Sequence, residues 1–255
     1  MIKVKHILGA AIFTVFLFGC SPTATEPEPT NTPAPTATPE PTPTDPPPTI
    51  SAEFLDMSQE ERDEALLDAT RKDDVVKIID LLAAGADVNA LDNRVGFNPI
   101  MIATVRGNTE TFSILLESGA DINQIDKRKN TLLHHAAYEN ATEIGNMLLS
   151  EGIIDLESRR QQYGFTPLLV AAFEGNVEMV ELLLENGSEI EAVDDWGDTS
   201  VNVSAWNGKL EVVEKLVQLG AISNVENSNG NTALDHAKSQ NHPEIEAFLL
   251  TVAEN

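Results

Sequence analysis

From about residue 58 onward the apolar positions of the chain fall into short paired clusters separated by polar turns. The stretch from Gly164 to Gly187 carries the pattern most clearly. Leu168, Ala171 and Ala172 share one face of a short helical segment that Thr166 and Pro167 open and Gly175 closes. Val180, Leu182, Leu183 and Leu184 form the apolar side of a second segment, which ends at Gly187. A threonine oxygen accepts from the free N–H groups of a first helical turn, and proline at the first position sacrifices no donor the helix uses. Glycine or asparagine ends a helix by adopting the left-handed conformation. Neither segment can bury its apolar face alone, so each unit predicts a neighbour to stack on.

The neighbours are present. Glycines that follow an apolar helix occur at Gly85, Gly119, Gly152, Gly187 and Gly220, spaced 34, 33, 35 and 33 residues apart. Helix-opening positions recur in the same register at Asn98, Thr131, Thr166, Thr199 and Thr232. Helix breakers recur at Gly107, Asn140, Gly175, Gly208 and Asn241. Self-similarity at such a period predicts a stacked repeat array. Units fall at about 58–92, 93–126, 127–159, 160–194, 195–227 and 228–252. The first opens with Ser58-Gln59-Glu60-Glu61, a capping-box pattern, and its charged first helix suits a terminal cap. Glu157 to Tyr163 carries two extra residues, which lengthen the hairpin before the fourth unit.

These openings, among them Thr166-Pro167-Leu168 and Thr131-Leu132-Leu133-His134, and closings such as Gly119-Ala120-Asp121-Ile122-Asn123, resemble the ankyrin repeat over about residues 58–250. The third and fifth units depart from it by lacking the proline. The resemblance implies an all-α repeat fold, an ankyrin-type solenoid of about six helix-turn-helix units with hairpin loops. It implies that His134 is structural, tying a helix opening to a loop. It also implies that hairpin tips and the ends of first helices line a concave face that contacts partners.

The N-terminal residues change the picture. Lys3, Lys5 and His6 precede an uncharged, mostly apolar run from Ile7 to Gly19, too short to span a bilayer comfortably, and this predicts a signal peptide over 1–19. Leu17-Phe18-Gly19-Cys20 resembles a bacterial lipobox, which implies acylation of Cys20, although Phe18 is bulkier than usual there. Residues 20–50, mostly proline, threonine, alanine and glutamate, predict a disordered tether rich in polyproline II. At about 3.1 Å per residue it would reach on the order of 80–90 Å. The expected location is a membrane surface, lipid-anchored, facing the periplasm or cell exterior. Of the chain's 41 acidic and 16 basic residues, 4 and 2 precede residue 51, which leaves 37 against 14 in the repeat domain of 51–255. So acidic a domain repels nucleic acid and anionic lipid, so membrane contact is expected only through the anchor. A monomer is expected.

Catalytic chemistry finds no footing. His134 and His135 diverge by about 100° on a helix and cannot form a two-ligand metal face. His236 beside Asp235 reads as a helix opening, and His242 precedes a turn proline. Cys20 is the single cysteine. The Asp194-Asp195 and Asp198 turn lacks the ligand ladder of a calcium loop and reads as solvated carboxylates. No phosphate loop, zinc spacing or nucleophile elbow occurs. The expectation is a non-enzyme without cofactor or metal.

Mapped through the repeat register, the tips present Arg94, Phe97, Lys127, Arg128, Lys129, Arg159, Arg160, Tyr163, Phe165 and Trp196. The helix ends present Arg106, Tyr138, Phe173 and Trp206. Both tryptophans and both tyrosines of the chain are in this set, and such residues anchor interfaces. Phe97 and Phe165 read equally well as spine residues packed on the next hairpin. The expected function is a lipid-anchored scaffold that binds a protein with acidic and apolar features facing the second to fourth units, including the case of an inhibitor or immunity protein. The alternative is an envelope polysaccharide receptor that stacks sugars on Trp196, Trp206 and Tyr163.

Overall fold

A computed structural model describes residues 52–152 and 154–253. The expectations for the signal, for Cys20 and for the Pro/Thr-rich segment therefore fall outside the described residues. Those residues contain thirteen helices and no strand. A short α1 (Ala52–Leu55) precedes six pairs: α2 (Gln59–Lys72) with α3 (Val75–Ala83), α4 (Pro99–Val105) with α5 (Thr109–Glu117), and α6 (Leu132–Glu139) with α7 (Thr142–Ser150). Next come α8 (Pro167–Glu174) with α9 (Val177–Glu185), α10 (Ser200–Trp206) with α11 (Leu210–Gln218), and α12 (Ala233–Ser239) with α13 (Pro243–Ala253).

The local devices are those expected. Asn98, Thr131, Thr166, Thr199 and Thr232 are extended N-cap residues whose side chains accept the N–H three residues on. Ser58 and Glu61 form the reciprocal capping box. Asn140 and Gly175 end α6 and α8 in the left-handed conformation. In the first unit Asp73 does the same at φ 59°, a role its residue type conceals.

First helices stack on first helices, from α2 through α4, α6, α8 and α10 to α12, and second helices follow suit from α5 to α13. Leu66, Ile78, Ile100, Phe112, Leu133, Ile144, Leu169, Val180, Val201 and Val213 are fully buried along this stack. Each such side chain contributes about 1.5–3 kcal/mol by leaving water, so the core is one continuous strip shared between neighbours. Phe54 of α1 is buried on the end of the strip, where the Lys77 ammonium lies 5.9 Å from its ring.

The hairpins are closed by buried side chains, which corrects the expectation of solvated turn carboxylates for Asp194 and Asp198, while Asp195 is exposed as expected. Asp194 is 5% exposed, and its Oδ1 accepts from the N–H groups of Trp196 at 2.8 Å and Asp198 at 2.9 Å. Asp126 accepts likewise from Arg128 and Asn130, and Asn227 from Asn229 and Asn231. A turn of this tightness leaves amides pointing inward, and a short side-chain oxygen satisfies them. Backbone hydrogen bonds then join tip to tip: Gln161 donates to Arg128, Asp195 to Tyr163, and Ser228 to Trp196.

Candidate functional site

Tyr138, Tyr163, Trp196 and Trp206 are 40–53% exposed, unusual for large aromatics and in line with a recognition role. Three of them converge. Tyr163 meets Trp196 with ring centroids 5.1 Å apart, and beneath them Phe165 contacts Tyr163 and Phe173, each at 5.7 Å. Trp206 stands edge-on to His236 at 5.1 Å. Together with Asp194, Asp198, Val203, Asn227 and Asn231 these rings line a groove of about 610 Å³ across the fourth to sixth units.

The fourth tip is built to hold this arrangement. Its closing bond runs from the Arg160 N–H to the Phe165 carbonyl, one residue further than the Asp126–Asn130, Asp194–Asp198 and Asn227–Asn231 closures. Tyr163 takes up the extra length at φ 72°, a left-handed conformation that costs a non-glycine residue about 1–2 kcal/mol. Gly164 follows at φ 64°, a left-handed conformation that favours glycine, and a Cβ there would displace the Asp195 carboxylate that Arg159 holds. Strain of this kind marks a place where position matters more than local stability.

The set expected from the sequence divides. Phe165 is 3% exposed and belongs to the core, with its ring at the base of the groove. Arg160 occupies the place of the turn-closing Asp; its Nε donates to the Gln162 carbonyl and its guanidinium lies 4.7 Å from the Phe165 ring centroid, so it is half-buried as a lid. Phe97 and Phe173 are half-buried against the core. Lys127 is exposed but its Nζ donates to the carbonyls of Asn93 and Arg94 in the preceding tip. Arg159 donates to the Val193 carbonyl and, at 3.0 Å, to Asp195 Oδ1 in the following tip. Arg94 approaches Asp92 at 3.8 Å. Arg106, Arg128 and Lys129 are exposed. The basic stripe expected over the second to fourth units thus divides: Lys127, Arg159 and Arg160 are engaged within the stack, whereas Arg94, Arg106, Arg128 and Lys129 stay exposed.

The histidines explain themselves by register. His134 Nδ1 accepts the Thr131 N–H at 3.2 Å, and Nε2 donates to the Phe165 carbonyl at 3.0 Å. Burial pulls its pKa from 6.5 to about 4, so the ring is a neutral strut at neutral pH. Asn202 fills the same position in the fifth unit, bonding Thr199 and the Val225 carbonyl. His236 was missed as a groove residue. It is one position later, four residues after its cap, and reaches back to Asp198 Oδ1 of the preceding unit at 2.9 Å, while Asp235 serves the Thr232 cap. The matching offset of His135 from Thr131 was the available signal; His135 pairs with Asp126 at 3.3 Å.

Burial raises the Asp198 pKa, but hydrogen bonds from His236, Asn227 and Asn202 outweigh it and hold the group below the usual carboxylate range. Asp194, with burial the leading cause, is raised. Among the described residues no group of His, Cys, Asp and Glu is arranged to hold a metal ion, and no helix is long and apolar enough to cross a membrane.

A stack of paired helices with tips bonded edge to edge, presenting aromatics on one face, defines a repeat-built recognition scaffold. The chain belongs to the ankyrin repeat family: matches to the three-copy pattern "Ankyrin repeats (3 copies)" cover residues 66–160, 121–194 and 168–255. It is 38% identical over 93 residues to a Mus musculus protein described as "Protein fem-1 homolog A-like", covering 36% of this chain and 14% of that one. It is 30% identical over 114 residues to the Homo sapiens "Transient receptor potential cation channel subfamily A member 1", covering 42% of this chain and 10% of that one. The matched regions are thus a small fraction of either relative's length.

Proposed function

We propose that this protein is a scaffold that holds a protein partner against its concave face, with the groove between Tyr163, Trp196 and Trp206 as the principal contact, displayed from a membrane by a lipid on Cys20. The observation that carries the reading is the convergence of three half-exposed aromatics, contributed by three different elements, around one groove. Large aromatics lose little conformational entropy when bound and shed water readily, which is why a few of them dominate interface energetics. Between Lys127, Arg159 and Arg160 the charged tips stiffen the platform rather than offering free charge. Arg106, Arg128, Lys129 and Tyr138 extend the face toward the third unit as a rim.

Affinity capture with the chain from Pro46 onward, a compact unit, tests the site against the Trp196→Ala/Trp206→Ala double variant. A partner retained by the parent and lost by the variant at unchanged helicity supports the groove; equal retention removes it. Incorporation of a labelled fatty acid that disappears on Cys20→Ala tests the anchor separately, and labelling that survives the substitution removes it.

A further inference from the structure

Beyond the groove, the molecule presents few places where chemistry is left over. The cleft between α3 and α5 is lined by Ile79, Leu82, Val88 and Ile114, with nothing to indicate what covers it. The hollow at Gln59, Asp63 and Arg71 is occupied by that region's own hydrogen bonds. The groove differs, because its aromatic walls and its charge point to the same kind of ligand.

Resting on the reading of the concave face as a protein site, we propose that the groove receives a basic, extended segment of the partner, with an arginine or lysine side chain seated against Tyr163, Trp196 and Trp206. Aromatic faces attract cations through their quadrupole, and the attraction grows when the cation is desolvated. Two carboxylates, Asp194 and Asp198, line the same groove, and no lysine or arginine does. Hydrogen bonds from Asn227, Asn202 and His236 keep Asp198 in its anionic form. The surrounding field agrees in sign, with a formal net charge of −25 for the chain. An acidic segment would face the like charge of Asp194 and Asp198, and the nearest cation, the Arg160 guanidinium 5.9 Å from the Tyr163 ring centroid, is already engaged by Phe165 and the Gln162 carbonyl, which costs affinity and slows encounter. The exposed Arg106, Arg128 and Lys129 lie outside the groove, so the charge that suits the groove is opposite to the acidic partner expected from the sequence.

The chain contains two tryptophans, Trp196 and Trp206, both in the groove, so intrinsic fluorescence reports occupancy there directly. Full-length protein in detergent is titrated at physiological salt with a nonapeptide holding two arginines between leucines, with its citrulline counterpart, with its glutamate counterpart, and with a β-1,4-linked hexasaccharide. The expected result is saturable binding of the arginine peptide, at least tenfold tighter than citrulline and glutamate, and at least tenfold weaker in Trp206→Ala at unchanged helical circular dichroism. A citrulline or glutamate peptide that binds as tightly as the arginine peptide overturns the cation and leaves the groove as a peptide site. Arginine-peptide binding that Trp206→Ala leaves unaltered puts the peptide outside the groove and overturns the proposal. Saturable binding of the hexasaccharide with no peptide binding overturns both the cation and the protein-partner reading. If nothing binds at millimolar concentration, the cation proposal falls.

Discussion

Two places on the hairpin-bearing face are built at the same repeat positions and end up with opposite character. Between the second and third units, Phe97 precedes a helix cap and packs edge-on against His135 at 5.0 Å, and the charge beside that histidine is Asp126, in the hairpin that leads into the same helix. Between the fifth and sixth units, Asp198 occupies the position of Phe97, His236 that of His135, and Asn227 that of Asp126. The carboxylate has moved from the hairpin before the histidine's own helix to the hairpin before the preceding first helix. Asp126 has 4% of its side chain exposed and is consumed in closing a turn, whereas Asp198 has 16% exposed and lines the groove. The aromatic has moved too, from beneath the histidine to Trp206 at the end of α10, where it is half exposed. One arrangement seals the stack and the other opens it. The same repeat positions thus yield a spine or a site according to which of three of them bears the charge and which bears the ring.

The largest effect that would sharpen this contrast is on stability at the base of the groove. Phe165→Ala removes a buried ring from beneath Tyr163 and should cost about 3–5 kcal/mol in urea unfolding. The half-buried Phe97 should cost only about 1–2 kcal/mol on the same truncation. Equal costs would mean that the two boundaries are packed alike and the distinction is superficial.

The next largest is a pH effect that separates the third unit from the fifth. His134 titrates at 6.5 when unfolded and about 4 when folded, so the unfolded chain binds more protons between those values. The stability His134 contributes is therefore complete above pH 6.5 and is lost as pH falls toward 4, by about 2–3 kcal/mol at pH 4.5. Unfolding midpoints of His134→Asn, which copies Asn202, should decline less over this interval than those of the parent. A variant whose pH profile overlays the parent's would place the sensitivity elsewhere.

Binding comes third. Trp206→Ala should weaken a groove ligand at least tenfold, about 1.4 kcal/mol, while Tyr138→Ala, exposed at the third unit, should change it by less than about threefold. Titration with the same ligand decides, and a Tyr138 effect as large as that of Trp206 would extend the site across the whole face. Smallest of all, Lys127→Ala and Arg159→Ala should each cost no more than about 1 kcal/mol by thermal or urea melts, since their partners are exposed at the tips.

Much of the fold was legible because each helix carries its own start and stop. Thr166 with Pro167, or Thr232 with Asp235, specifies a helix opening through hydrogen bonds to neighbours at most three residues away. Repetition then made each unit a check on the others. The site was less legible. Trp196, Trp206 and Tyr163 stood out by residue type, but Phe165 shares that type and is buried, and Arg159 and Lys127 look like free cations until the adjacent tip supplies their acceptors. His236 was obscured by its neighbour Asp235, which satisfies a local cap while the histidine reaches across 38 residues to Asp198.

The sequence alone therefore determined the helices, their caps, the period of the stack and the composition of its exposed face, because these depend on contacts within one unit or on a pattern repeated between units. Only the tertiary structure decided which side chains remain available. A carbonyl, a carboxylate or a ring one repeat away lies some thirty-odd residues distant along the chain yet within hydrogen-bond reach in space, and whether it engages a residue is set by the tip geometry that neighbouring units impose on each other.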